Sequence, residues 1–526
     1  MFRTEHLSST LPPVNPTLLL AAYCFSAMVA FAGDTALTSR TNPAPTISWP
    51  VAVPEEVGVD SAALCELLEH VRAHQTPVHS ILLVRHGRLA FEAYFHPYRA
   101  GMRHDIASVT KSITSTLVGV AIKRGYLRDV HQPVLSLFTG HAAQAEPRKG
   151  ALTLEHLLTM QAGWDCGVKM DDPRINVDAR LAEMRATSDW VRYALELPMV
   201  DPPGAVFRYC NVNCHLLSAL LTQQTGSNAL ALARRELFEP LGIHDVVWPA
   251  DPKGNNHGWG DLQLHPRDMA RLGQLFLQRG RWGERQLVAE GWMRDATRSH
   301  VKVTGNNDQY GYFWWMPGER FPGLFEAIGR GGQRITVWPA RDLVLVYTGG
   351  GFNTDELTPF ILRSLRSDGA LPQNAGAAVR LRDQLAEAVR PPAPKPVAAR
   401  PALAAEISGK TYALTRNSLE FATLTLRFDK TNEASVHFTR HGQDLRCPVG
   451  LDGVERHSAD TLIELPVAAK GQWESQNTFM LFLDRVGGVD FYRFQLTFSD
   501  AGRAVAVTLS ERTGLVGESF QGNTKR

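Results

Sequence analysis

The chain has 526 residues, 44% hydrophobic and 21% charged, with 55 basic against 53 acidic side chains and a formal net charge of +2. That length exceeds one typical domain, and the composition is that of ordinary globular protein. The near-balance of charge, without a long basic run, excludes a nucleic-acid groove and a polybasic membrane patch.

An uncharged apolar stretch runs from Leu18 to Ala32 and ends in Ala30-Phe31-Ala32 before Gly33-Asp34. Small residues two apart behind a short apolar core predict a secretory signal over 1–32, cleaved after Ala32. The run is short for a membrane span, so the mature chain is expected in the periplasm or outside the cell, with no stable span. Arg3 offset by Glu5, with Pro12, Pro13 and Pro16 behind them, leaves an uncleaved anchor or a misplaced start as the alternative. Residues 33–54, rich in Pro, Ser and Thr, read as an extended lead-in.

Ser61 to His74 shows helical spacing through Leu64, Leu67, Leu68 and Val71, with Ser61 as its predicted N-cap. Ile81–Val84 and Leu89–Phe95 flank His86-Gly87-Arg88 and predict a hairpin. Helical patterns follow at Ile106–Leu127, Leu152–Met160, Trp190–Leu197, His215–Thr225 and Arg267–Arg279. Strand signals return at Gly311–Met316, Ile335–Trp338 and Leu343–Thr348. Strands at both ends of a helical middle predict an α+β domain over 55–370, whose antiparallel sheet is assembled from chain-distant pieces, with the site where helices meet sheet. Prolines 391, 392, 394, 396 and 401, interleaved with alanine, read as part of a linker over 371–406. Beyond it, period-two runs such as Leu424-Leu426-Phe428 and Tyr492-Phe494-Leu496-Phe498 predict an all-β barrel or sandwich over 407–526.

The chemistry is carried by Ser108-Val-Thr-Lys111 at the head of the apolar Ile106–Leu127 segment. A serine three positions before a lysine on a helix sets hydroxyl and amine on one face, so an alcohol nucleophile has an amine beside it without histidine. The helix start also offers backbone N–H groups to a developing oxyanion. Taken alone the spacing is weak: Ser299-His-Val-Lys302 shares it, but lies in a polar stretch that reads as a solvated loop. The plain structural readings are an N-cap for Ser108, a surface charge for Lys111, a core aromatic for Tyr209 and a turn residue for Asn211.

Ser108-Val-Thr-Lys111, Tyr209-Cys-Asn211 and Gly329-Arg-Gly-Gly-Gln333 occur in the order and context of the class C β-lactamase-like serine hydrolases, which the chain resembles from 55 to 365. That superfamily includes penicillin-binding DD-peptidases, EstB-type esterases and 6-aminohexanoate-dimer hydrolases. Supporting strings are Leu154-Glu-His-Leu-Leu-Thr-Met-Gln-Ala-Gly163, Pro240-Leu-Gly-Ile243, Pro266-Arg-Asp-Met269 and Tyr310-Gly-Tyr-Phe-Trp-Trp315. The Gly-Gly-Gln form of the third motif and the Trp-Trp string look closest to the aminohexanoate-dimer hydrolase branch. The resemblance implies a β-lactamase/transpeptidase-like sheet with a helical domain, no metal and no cofactor. It implies that Ser108 is acylated, that Lys111 lowers its proton affinity, and that Tyr209 acts as general base and then protonates the leaving group. Whether Lys111 or Tyr209 takes the serine proton is left open. Asn211 would orient Lys111 or a substrate carbonyl, and the N–H groups of Ser108 and Gln333 would form the oxyanion hole. Arg330 stands where better-known members carry lysine or histidine. It is a permanent cation that would pair a substrate carboxylate but cannot transfer protons. Gly331 and Gly332 would let substrate backbone lie against the strand edge, or mark an ordinary bulge.

Six cysteines become five once a signal is removed. Cys210 and Cys214 are one helical turn apart and badly placed to bridge each other. A bond from Cys166 to one of them, with Cys210 favoured because it lies inside the Tyr-x-Asn string, stands beside the alternative of buried free thiols. Without a Cys-x-x-Cys pair a zinc site is poorly supported. Tyr310, Tyr312, Trp314 and Trp315 read as core, with acyl-pocket lining as the alternative. Three functions follow: a hydrolase of small esters or amides through an acyl-enzyme, a DD-peptidase or β-lactamase, or a non-catalytic binding protein whose working part is the β-domain.

Overall fold

A computed structural model describes residues 49–138, 147–166, 179–303, 308–462 and 465–524. The expected signal segment, 1–32, and most of the lead-in lie outside the described residues. Among the described residues no helix is long and apolar enough to cross a membrane.

Helix α1 (Ser61–Ala73) is capped by Asp60, whose carboxylate accepts from Ala62 N at 2.9 Å, so the cap lies one residue before the serine expected in that role. Strands β1 (Val78–Arg85) and β2 (Arg88–Tyr94) form the predicted hairpin. Both turn residues, His86 (φ 51°) and Gly87 (φ 69°), are left-handed, the twist that a two-residue hairpin turn prefers. Helices α2 (Val109–Lys123), α3 (Asn211–Thr225) and α4 (Pro266–Leu277) follow. Strands β3 (Val301–Lys302), β4 (Gln309–Tyr310), β5 (Trp315–Met316), β6 (Phe325–Gly329), β7 (Gln333–Trp338) and β8 (Leu343–Gly349) complete an antiparallel sheet of order β2-β1-β8-β7-β6-β5-β4-β3. The single strand expected over Gly311–Met316 is broken, because the chain reverses between β4 and β5 with Phe313 at φ 63°. Gly311 packs there so tightly that a Cβ would lie 2.2 Å from the Ala296 carbonyl.

Alternation divides the sheet between two cores. Ile335, Val337, Val344 and Val346 join the core that holds α2 and α4. Ile81, Leu83, Leu343 and Leu345 face the other way, with α1, α5 (Thr358–Ser364) and α6 (Ala375–Ala388). Helix α6 falls inside the stretch expected as linker. It is ordered because Ala377 and Leu381 bury against the α1 side of the sheet, contacts that composition does not reveal.

The C-terminal β-domain is a closed barrel of β9 (Thr411–Leu414), β10 (Phe421–Arg427), β11 (Glu433–Arg440), β12 (Gln443–Gly450), β13 (Arg456–Leu462), β14 (Leu465–Trp473), β15 (Thr478–Arg485), β16 (Phe491–Ser499), β17 (Ala504–Glu511) and β18 (Gly517–Thr524). Their order is β12-β11-β10-β9-β18-β17-β16-β15-β14-β13, and a short parallel pairing of β12 with β14 closes the ring. The alternating residues read from the sequence, Leu424, Leu426, Tyr492, Phe494, Leu496 and Phe498, fill its interior.

Candidate active site

Ser108 stands at the N-cap position of α2 without a side-chain capping bond and is half-buried, whereas Lys111 is almost wholly enclosed. Lys111 Nζ donates to Ser108 Oγ at 2.8 Å and to the Trp259 carbonyl at 2.9 Å. The same nitrogen lies 4.8 Å from the centroid of the Tyr209 ring, so the hydroxyl and amine of one stretch of chain meet the phenol ring of another. No carboxylate among the described residues forms an ion pair with Lys111. Ser299, just before β3, and Lys302, within it, share the spacing and are both exposed.

Ala107, immediately before Ser108, holds a left-handed φ of 47°, which costs a non-glycine residue about 1–2 kcal/mol. Its N–H donates to Asp105 Oδ1 at 2.9 Å, which ties the strained peptide down. Burial, reinforced by the nearby Asp261 charge, pushes the Asp105 carboxyl up to about 6.

Tyr209 is placed by the segment expected as a helix over Leu152–Met160, of which Leu154–Leu158 is helical. Met160 then turns left-handed (φ 59°), its carbonyl accepts from Arg208 N at 2.8 Å, and its sulfur accepts from Cys210 N at 3.4 Å. A disulfide joins Cys166 to Cys210 with a Cα–Cα distance of 5.6 Å, while Cys214 is buried outside the bridge and its Sγ donates to the Cys210 carbonyl at 3.6 Å. Asn211 opens α3 directly behind. Tyr310, Tyr312 and Trp314 belong to the core, and Trp315, also buried, meets the Tyr209 ring at 6.0 Å.

The Trp259 carbonyl went unread in the sequence, although the Gly258-Trp259-Gly260 string marks a close approach. A Cβ on Gly258 would fall 2.0 Å from the Cys214 carbonyl, so this loop lies flush on α3. His257 stacks on the Trp259 ring at 4.6 Å and its Nδ1 pairs with Asp261 at 2.7 Å. Beneath, His215 pairs with Asp251 at 3.0 Å; burial pushes Asp251 up, but hydrogen bonds from His215 and Asn255 outweigh it and hold the carboxyl at about 2.

The third motif lies against the barrel. Arg330 is engaged by the barrel: Nη2 donates to Asp490 Oδ1 at 2.5 Å, Nη1 to Thr513 Oγ1 at 3.0 Å, and Glu511 lies 3.7 Å away. Its charge is thus matched by carboxylates of the protein instead of standing free for a substrate carboxylate. Gly331 (φ 83°) and Gly332 (φ 94°) are close-approach glycines, but what approaches is protein. A Cβ would lie 2.3 Å from Val489 at the first and 2.4 Å from Phe352 at the second. Gln333 is buried with its side-chain amide on the Gly349 carbonyl at 2.5 Å, which fixes the edge of β7 against β8. A cavity of about 650 Å³ on the sheet face away from α4 is lined by Glu326, Arg334, Thr336, Trp338 and Tyr347, and by none of Ser108, Lys111 or Tyr209.

With fold and geometry in view, the Beta-lactamase family model matches residues 64–361, more than half of the chain, and the chain belongs to that family. It is similar to the 6-aminohexanoate-dimer hydrolase of Paenarthrobacter ureafaciens, 26% identical over 330 residues that cover 59% of this chain and 81% of that protein. Among solved structures it is similar to the octameric penicillin-binding protein homologue from Pyrococcus abyssi (TM-score 0.46, 14% identity, 88% of this chain and 98% of that one). It is likewise similar to a penicillin-binding protein from Bacillus halodurans (TM-score 0.46, 17% identity, 57% of this chain and 99% of that one). The protein is a β-lactamase-fold hydrolase.

Proposed function

We propose that the chain is an exported serine hydrolase that cleaves small ester or amide bonds through an acyl-enzyme at Ser108. The observation that carries this reading is the 2.8 Å hydrogen bond between Lys111 Nζ and Ser108 Oγ at the N-terminus of α2, with the Tyr209 ring beside the amine. Ser108 Oγ adds to the substrate carbonyl carbon while its proton passes to the Lys111–Tyr209 pair. The carbonyl oxygen, now negative, is met by backbone N–H groups of the Ser108 and Gln333 arms. Collapse expels the alcohol or amine, which leaves with the proton from the pair; water then adds to the acyl carbon and releases the acid and free Ser108. The Paenarthrobacter relative is a hydrolase of 6-aminohexanoate dimer, two amino acids joined by an amide, and this supports an amide among the substrates.

The state of Arg330 favours this reading over a DD-peptidase or β-lactamase. A cation already matched by Asp490 and Glu511 offers little to the terminal carboxylate that a cell-wall peptide carries on its leaving group. A fluorophosphonate probe should add its mass to the full-length wild type and not to Ser108→Ala. Labelling that survives the loss of Ser108 would refute the assignment, and cephalosporin turnover at the rate of simple esters would favour the alternative.

A further inference from the structure

The turn between β15 and β16, residues 485–490, enters the hydrolase half between two arms of the candidate site. On the Ser108 side, Asp105 N donates to the Gly487 carbonyl at 2.8 Å, and Arg485 Nη2 donates to Asp105 Oδ2 at 3.0 Å. Asp105 Oδ1 is the acceptor that holds the left-handed Ala107 just ahead of Ser108. On the Gln333 side, Arg330 pairs with Asp490 Oδ1, and Val489 fills the space that a side chain on Gly331 would need. Asp490 Oδ2 accepts from Arg485 Nη1. One carboxylate therefore binds both arginines, one gripping each arm.

Simple attachment of a barrel needs only matched apolar surfaces, and buried ion pairs are a poor source of net stability. What the pairs Asp105–Arg485–Asp490–Arg330 provide is fixed geometry, because each planar guanidinium restricts the direction of its neighbours. The chain of pairs starts three residues before Ser108 and stops three residues before Gln333. We infer that the Arg485–Asp490 turn is a positioning element through which the barrel sets the separation of the Ser108 arm from the Gly329–Gln333 arm. The inference rests on the acyl-enzyme reading, in which these arms carry the nucleophile and the second oxyanion donor. Neither Arg485 nor Asp490 need touch substrate.

The test uses full-length wild type, Ser108→Ala, Asp490→Asn and Asp490→Glu, with ester kinetics, fluorophosphonate labelling rate and thermal midpoint read on each. A misplacement of about 1 Å costs about a hundredfold in rate. Asp490→Asn should therefore lose on the order of a hundredfold in kcat and in labelling rate when assayed well below its midpoint, with KM within about threefold, although the midpoint itself falls because Arg485 and Arg330 each lose a charged partner. Asp490→Glu, which keeps the charge, should recover most of it. The inference is overturned if Asp490→Asn labels and turns over at the wild-type rate, or if both variants lose activity only in step with their midpoints. Should Asp490→Asn fail to fold, Thr513→Val takes its place, since it strips one contact from Arg330. A fall in kcat at constant midpoint then supports the inference, and an unchanged kcat overturns it. Absence of labelling in the wild type, or its persistence in Ser108→Ala, is a different outcome that removes the acyl-enzyme reading and this inference together.

Discussion

The surroundings of Lys111 and the barrel contact around Arg485 each bury a basic side chain, but they hold it in opposite ways. Lys111 is met by a serine hydroxyl, a main-chain carbonyl and an aromatic ring. Arg485 sits between Asp105 and Asp490, and Arg330 between Asp490 and Glu511. A guanidinium bracketed by carboxylates is committed to structure, because moving a proton there would leave buried charges unmatched. An amine held by neutral dipoles has no carboxylate that a proton movement would leave unmatched, which is what the proposed acid–base role needs. Local partners, more than the presence of a buried basic group, separate the proposed reactive site from the rigid one.

The contrast breaks most visibly at Lys111. Lys111→Ala should lower kcat for a small ester by about 10²–10⁴. Lys111→Arg should fail to restore it, since guanidinium holds its protons at neutral pH. Retention of near-normal turnover by the arginine variant would erase the distinction. The next effect is on stability: Cys166→Ser should cost about 2–4 kcal/mol in urea unfolding through loss of the Cys166–Cys210 bridge, and reductant should bring the wild type to the same value.

Gly331→Ala should destabilise by about 1–3 kcal/mol, both from its positive φ and from the collision with Val489. In a Val489→Ala background the collision part should vanish while the backbone part remains. Fully additive losses in that double-mutant cycle would mean that the two residues do not meet.

The smallest effect sharpens the barrel side through pH. The Tyr98 hydroxyl donates to Asp484 Oδ2 at 3.1 Å, and burial, with the Glu455 charge, pushes Asp484 up to about 7. A carboxyl raised in the folded state stabilises below its unfolded value near 4, and that contribution is lost as pH rises towards 7. The neighbouring His104, pulled down to about 4 by burial, works in the opposite sense, because its stabilising contribution is lost on acidification. Asp484→Asn removes this carboxyl's share, so its thermal midpoint should drop relative to wild type at pH 5 and regain ground by pH 8. A pH-independent difference would mean that Asp484 titrates normally.

Much of this architecture could be read from local pattern. The β1–β2 hairpin, the helix behind Ser108 and the alternating runs of the barrel each declare themselves within a dozen residues, because period and turn chemistry are local properties. The choice between barrel and sandwich was not local: it was decided by the pairing of β12 with β14. The partners of Arg330 were equally hidden, since Asp490 and Thr513 lie far along the chain in another domain. So was the grip on Lys111, which is a main-chain carbonyl and leaves no side-chain signature at Trp259. Helix α6 escaped notice because an alanine-rich stretch beside prolines looks like a spacer until Ala377 and Leu381 find a surface to cover.

In the central sheet, β1 is zipped to β8, so Val78 faces Gly349 and every helix that frames Ser108 is strung between the two partners. Closing that loop early would carry a large entropic penalty, which makes local helix formation the natural opening move and sheet closure a late one. A nascent chain that has emerged only as far as α4 therefore holds the serine and the lysine but no finished floor beneath them. Reactivity should switch on abruptly, near the end of maturation, in place of growing with chain length.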